Sequence, residues 1–305
     1  MLTEAHRERF ERDGFVVVED IIADESLNAV EKAFSARLDE LAEYLDVSLP
    51  PDLATINEKM LGLEELHPGA CLVFTHSHIP SPALLSLWSE GPLLELAADL
   101  LGPDVDGHPF LAVRPKPPGV SLFTVPWHQD SAYLEDGAQG TPQITVWVPL
   151  MDATRDNGCM EFAKGAHKQR RELLHVSQNY MEYGNAAWYL EIPPSETSSF
   201  DVVECEVKRG SCVVFGHLAP HRSLPNLSST CRWSIDFRYL AAGGFAGTQQ
   251  PAVPFMRESV SEASNAEELK RAYISRQAGR DRTMWRHRVE NAVWKERWVQ
   301  PVGGK

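Results

Sequence analysis

The 305-residue sequence is short of positive charge: 29 Lys and Arg stand against 43 Asp and Glu, a formal net charge of −14. A nucleic-acid binder needs a basic face to displace counterions from phosphates, and a surface that leans on anionic lipid needs the same, so neither partner is expected. Cysteine is sparse. Cys71, Cys159, Cys205, Cys212 and Cys231 are odd in number, irregular in spacing and form no CxxC pair, which argues against a disulfide framework or a structural zinc site. Reduced, buried cysteines of a cytoplasmic protein are the expectation. No apolar run approaches the ~20 residues of a membrane helix, and the charged stretch 1–12 has no apolar core of a secretory signal. Repeats and low-complexity tracts are absent too. What is present is ordinary globular material, 43% hydrophobic and 24% charged, enough for a substantial core.

The chain changes character at Pro103. Before it, the pattern is helical: Thr3 caps a helix over 4–12 that Gly14 ends, a short buried strand follows at 15–18, and Leu27, Val30 and Phe34 mark a helix over 24–36. Another helix, or two broken near Gly91-Pro92, covers 82–101. After Pro103, short β-rich runs alternate with Gly/Pro turns, at 110–114, 120–127, 143–150, 158–163, 201–207, 211–215 and 231–240. Such spacing predicts a sandwich or barrel. The polar stretch 165–200 reads as a lid or binding loop, and 263–298 as a helix. The expected organisation is one domain over 1–305: a helical layer with the first strand (1–103), a barrel core (104–240) with the lid inserted, and a helical tail (241–305). The tail carries Trp285, Trp294 and Trp298, whose packing on the barrel or on a second copy leaves a homodimer through this segment open.

The chemistry concentrates in Trp127-His128-Gln129-Asp130. Residues two apart on an extended segment point to the same side, so His128 and Asp130 present an imidazole and a carboxylate to one point. Two histidines and one carboxylate on one face form the non-haem Fe(II) triad, and a third ligand must come from elsewhere. His221, after the apolar strand 211–215, and His217, four residues before it, compete for that place; His221 fits better with a site shared with Arg232. On the strand 231–240, alternation sets Arg232, Ser234, Asp236 and Arg238 on one face and Trp233, Ile235, Phe237 and Tyr239 on the other. A wholly polar face suits a polar cavity, where a guanidinium and a hydroxyl would bind the far carboxylate of a dicarboxylic cosubstrate.

In its opening Phe10-Glu11-Arg12-Asp13-Gly14-Phe15, its Trp-His-Gln-Asp motif and its His221-x-Ser223-x-x-Asn226 turn followed by Arg232, the chain resembles the phytanoyl-CoA dioxygenase family of Fe(II)- and 2-oxoglutarate-dependent oxygenases. The resemblance implies a mainly β fold with flanking helices, a double-stranded β-helix or jelly-roll barrel of cupin type. It implies iron ligation by His128, Asp130 and His221 and capture of 2-oxoglutarate by Arg232. Gln129, Trp147, Ser234 and Lys116 are further cosubstrate candidates, with Arg114 competing for the role of Lys116. Tyr133, Arg238, Asp236 and His217 are candidates for the substrate side. The implied reaction oxidises an unactivated C–H of a small molecule, a natural-product or secondary-metabolite intermediate, with O2, releasing succinate and CO2. A metal-dependent hydrolase using the same triad, and a barrel that binds a small ligand without catalysis, remain as alternatives.

Overall fold

The computed structural model describes residues 2–76, 81–179, 188–248 and 250–256. The N-terminal part supplies helices α1 (Glu4–Asp13), α2 (Asp24–Tyr44), α3 (Ile56–Leu66), α4 (Ala70–His76), α5 (Pro82–Ser89) and α6 (Gly91–Leu101), with β1 (Phe15–Val18) between the first two. Next come β2 (Val105–Gly107), β3 (Ala112–Lys116), β4 (Gln143–Pro149) and β5 (Met160–Ala163). The inserted stretch contains β6 (Val176–Asn179), β7 (Trp188–Glu191) and the single-turn α7 (Pro194–Thr197). The chain then forms β8 (Val202–Cys205), β9 (Cys212–Gly216), β10 (His221–Ser223), β11 (Arg232–Ala241) and β12 (Val253–Met256).

These strands make two main antiparallel sheets. The larger runs β1-β9-β4-β11-β2-β12, with β3 also paired to β11. The smaller runs β10-β5-β8, and β6 pairs with β7 separately. β11 is the spine of the larger sheet: β4 lies along one edge, from Ser234↔Pro149 to Leu240↔Gln143, and β3 and then β2 lie along the other.

Period-two alternation divides the larger sheet into two working faces. Trp233, Ile235, Phe237 and Tyr239 on β11, Ile144, Val146 and Val148 on β4, and Val214 on β9 point outward into one apolar cluster with Leu27, Val30, Phe34 and Leu38 of α2. Trp233 meets Phe34 and Phe74 at ring separations of 5.8 and 5.2 Å, and the Tyr239 hydroxyl donates to the Trp88 carbonyl at 2.7 Å. The inward face meets the smaller sheet in a second cluster, where Trp147, Val213 and Phe215 pack with Met160 and Phe162. Phe15 stacks on Phe162 at 4.3 Å, joining the two sheets directly. The fold is therefore a jelly-roll sandwich with a helical layer on one side, as the strand pattern predicts.

Several boundaries differ from the sequence reading, for physical reasons. α2 runs on to Tyr44 because Leu38 and Leu41 continue its apolar stripe and are fully buried. The expected strand over 120–127 is a 3-10 turn (Ser121–Phe123) followed by loop, since Pro126 has no N–H for a ladder. Single hydrogen bonds tether it instead, such as Val125 N–H to Ser223 Oγ at 3.0 Å. The helix α3, announced by a Thr55/Glu58 capping box, and the three-residue strand β10 go beyond the sequence reading. The stretch 165–200 is not structureless where described, because β6, β7 and α7 lie within it. Gly14 ends α1 as expected, with a left-handed φ of 90° and its N–H bonded to the Phe10 carbonyl. The tail 263–298 and its tryptophans lie outside the described residues. No helix among the described residues is long and apolar enough to cross a membrane.

Trp233 ties the sheet to the helical layer. Trp233→Ala is expected to lower unfolding stability by about 3–5 kcal/mol, measured as a fall in the urea midpoint at unchanged slope.

Candidate active site

The site grows from one backbone contact. His128 and His221 exchange N–H···O bonds in both directions, at 3.0 and 2.9 Å, so the loop before β4 is fastened to β10. The same pairing sets their rings 4.1 Å apart. In each ring Nδ1 faces a backbone carbonyl two residues earlier: Pro126 O at 2.9 Å for His128 and Ala219 O at 3.0 Å for His221. A ring nitrogen against a carbonyl carries the proton, which leaves both Nε2 atoms with free lone pairs. Burial lowers the pKa of both rings, so they are neutral at pH 7.

Asp130 completes the cluster. The donor atoms of His128, Asp130 and His221 all lie within 4.8 Å of one another, and all three residues are buried. Burial alone would raise the Asp130 pKa, but the charge of Arg238 and the hydrogen bond from Thr145 outweigh it and hold the carboxyl well below the usual range. The contacts are specific: Thr145 Oγ1 donates to Oδ2 at 2.7 Å and Arg238 Nη2 to Oδ1 at 2.9 Å. Two neutral imidazoles and an ionised carboxylate, each oriented by an outer partner, fit a divalent transition metal such as Fe(II).

The triad opens into a cavity of about 230 Å3, lined also by Arg114, Lys116, Trp147, Tyr189, Arg232 and Asp236. Arg232 is 3% exposed. Its guanidinium lies 5.2 Å from the Trp147 ring, and neither Nε nor Nη1 has a hydrogen-bond partner among the described residues. The Ser234 hydroxyl, on the same strand face, is equally buried and unpartnered. Burial lowers the Arg232 pKa to about 10. A dry, unpaired guanidinium is costly unless a ligand supplies the anion, and a carboxylate fits that place.

Lys116 sits opposite Arg232 in the β3–β11 register and is 1% exposed. It donates to Ser223 Oγ at 2.8 Å and to the Leu224 carbonyl. Asn226 holds the Lys116 carbonyl at 2.7 Å, so the Ser/Asn turn after His221 clamps the end of β3. Gly158 completes this corner: at a φ of 86°, a Cβ there would meet the Leu224 carbonyl at 2.5 Å and Lys116 Nζ at 3.0 Å. Burial, and next the charge of Arg232, push the Lys116 pKa down to about 6.

Other expected site residues fall elsewhere. Gln129 does not line the cavity, a correction that follows from alternation along the motif: His128 and Asp130 face in, while Trp127 and Gln129 face the insertion. The Gln129 amide donates to the Arg171 and Leu218 carbonyls and accepts from Leu173 N–H, which turns it away from the cavity. Trp127 packs with Leu173, Ile192 and Phe200. Tyr133 is also outside the lining; its hydroxyl accepts from Leu190 N–H at 2.9 Å. His217 lies outside the triad, with Nδ1 against the Gln143 carbonyl at 3.2 Å. Arg238 and Asp236 do line the cavity, but each is ion-paired, to Asp130 and to Arg114. The sequence reading missed Thr145, although it stands two residues before Trp147 on the inward face of β4 and was findable by alternation.

A jelly roll with a buried His-Asp-His set beside an unpaired arginine defines an Fe(II)- and 2-oxoglutarate-dependent oxygenase. The chain belongs to the phytanoyl-CoA dioxygenase family, whose model matches residues 10–234. It is similar to the 1-deoxypentalenic acid 11-beta-hydroxylase of Streptomyces arenae, 27% identical over 200 residues, 63% of this chain and 67% of that one. It is also similar to a phytanoyl-CoA dioxygenase of Arabidopsis thaliana, 23% identical over 268 residues, 80% of this chain and 90% of that one. Among solved structures, EctD from S. alaskensis with 2-oxoglutarate and 5-hydroxyectoine superposes with a TM-score of 0.56 at 21% identity, covering 82% of this chain and 81% of that one.

The buried lysine has a measurable signature. Its folded pKa, about 6, lies below the unfolded value, so between pH 6.5 and 8 the unfolded chain binds the extra proton and folding stability rises with pH. Lys116→Met is expected to lower that slope by about 1.4 kcal/mol per pH unit in metal-free protein, read from urea unfolding across this window.

Proposed function

We propose that His128, Asp130 and His221 hold Fe(II), that Arg232 receives the distal carboxylate of 2-oxoglutarate against Trp147, and that the enzyme hydroxylates a small biosynthetic intermediate. The observation that carries this reading is the buried, unpartnered guanidinium of Arg232 in the same cavity as the His-Asp-His set. A metal hydrolase would have no use for that group. The names of two relatives, a hydroxylase acting on 1-deoxypentalenic acid and an ectoine dioxygenase of Bordetella bronchiseptica, support a small-molecule substrate. Five free, buried cysteines support a reducing, cytoplasmic setting.

Iron with 2-oxoglutarate and O2 supplies the oxidising power when bound, yielding succinate, CO2 and hydroxylated product. The chain's own groups do the positioning. The Pro126 and Ala219 carbonyls fix the tautomers of His128 and His221, so each Nε2 is a ready donor. Thr145 and Arg238 fix the rotation of the Asp130 carboxylate and keep it ionised. Arg232 and Ser234 give a dianion its far anchor, and the ring of Trp147 fixes the plane of the guanidinium. Phe215 and Phe162 pack against the His221 ring at 4.5 and 5.8 Å, keeping water from that side of the donors.

Anaerobic addition of Fe(II) and 2-oxoglutarate should produce a weak visible charge-transfer band, and a protein that binds neither would overturn the reading. Asp130→Ala is expected to lose the band and at least a hundredfold of succinate release. Arg232→Met should instead keep Fe(II) affinity and raise the KM for 2-oxoglutarate tenfold or more, consistent with the loss of about 1.5–3 kcal/mol from a charged hydrogen bond. Succinate assays over a 2-oxoglutarate series separate the two variants.

A further inference from the structure

Arg114 is a cationic group of the cavity that the positioning above does not use. It stands on β3, opposite Ser234 of β11, and both it and Asp236 line the cavity. Nε donates to Asp236 Oδ2 at 2.7 Å, which fixes the guanidinium from its inner side. No hydrogen bond reaches its Nη atoms from the described residues, and the side chain keeps 28% of its surface open. An arginine anchored through Nε and open at its two terminal nitrogens presents a planar fork of the kind that takes a carboxylate in two parallel bonds.

The charge balance of the cavity points the same way. Of the cavity's carboxylates, Asp130 is matched by Arg238 and Asp236 by Arg114. On the reading above Arg232 takes the far carboxylate of 2-oxoglutarate, so Arg114, paired through Nε alone, is the guanidinium whose terminal nitrogens are left for a substrate. A carboxylate offers that fork two charge-assisted bonds, whereas a neutral substrate offers it weaker, uncharged acceptors.

We infer that the substrate is a small carboxylic acid and that Arg114, oriented by Asp236, binds its carboxylate and so holds the rest of the molecule toward the metal site. This rests on the reading of the enzyme given above and adds the substrate's chemical class. Asp236 is then a positioning residue, which aims the fork and has no contact with substrate.

The test uses the full chain loaded with Fe(II) and 2-oxoglutarate without oxygen. The probes are small straight-chain and alicyclic carboxylic acids, each paired with its own primary amide, which keeps the shape and removes the charge. Calorimetry is expected to find acids that bind tenfold or more tighter than their amides. Arg114→Met should bring that ratio close to one while the visible Fe(II)–2-oxoglutarate band persists; Arg114→Lys, which keeps the charge but not the fork, should retain part of the preference. Amides that bind as well as acids, a panel in which no acid binds, or an acid preference that survives Arg114→Met would overturn the proposal. Loss of the band in both Arg114 variants would overturn it too, by making Arg114 a cosubstrate contact. Failure of the parent reading shows separately, as absence of the band in the unsubstituted protein, where the acid-to-amide ratio is still measurable.

Discussion

The paired backbone hydrogen bonds between His128 and His221 are the contact on which the rest of the site depends. They fasten a loop that enters the larger sheet to an edge strand of the smaller one, and in doing so place two imidazoles side by side. Asp130, two residues on, is then bound to the larger sheet through Thr145 on β4 and Arg238 on β11. The donor cluster therefore spans the gap between the sheets. Its geometry is only as fixed as their packing, which Phe15, Phe162, Phe215 and Trp147 supply from the apolar end of the same gap. Sheet packing and donor geometry are one constraint seen at two ends.

The acidity of the chain and the chemistry of the cavity are separate matters. A net charge of −14 describes what the surface offers to other macromolecules. Inside, guanidinium groups from β3 and β11 line one small space. Close-range fields in a poorly solvated cavity outweigh distant surface charges, which ions and water screen beyond about 10 Å at 0.1 M salt. An acidic protein can thus attract dianions to its centre, and composition alone gives no guide to that.

Much of this was legible in the sequence because strand alternation is a strict rule. It divides β11 into Arg232, Ser234, Asp236 and Arg238 against Trp233, Ile235, Phe237 and Tyr239, and the structure buries the second set under the helices. The same rule, applied inside Trp127-His128-Gln129-Asp130, separates the cavity-facing pair from the two residues that hold the insertion, and so removes Gln129 from the cosubstrate candidates. Pairing between distant elements was not legible. That Arg238 meets Asp130, that Arg114 meets Asp236 and that Lys116 is held by Ser223 depend on sheet register, which no local pattern encodes. The segment around Pro126 misled for the opposite reason, since its apolar content suggested a strand while a missing N–H and isolated tethers made it a loop.

Register also explains why one arginine stands apart from the rest. Along the cavity, Asp130 and Asp236 each lie within ion-pair distance of a guanidinium supplied by another element. A fold selected for stability alone would complete the set or replace it with apolar side chains, because a buried charge without a partner is the costlier arrangement. Arg232 breaks the pattern: its neighbours across β3 are Lys116 and Arg114, both cationic types, and the nearest aromatic, Trp147, offers a π face but no acceptor. The destabilisation is retained in a position where only a bound anion relieves it, so the energy of that missing pair is available to cosubstrate binding and not to folding. The unpaired guanidinium thus identifies a ligand site on physical grounds that stand apart from the motif.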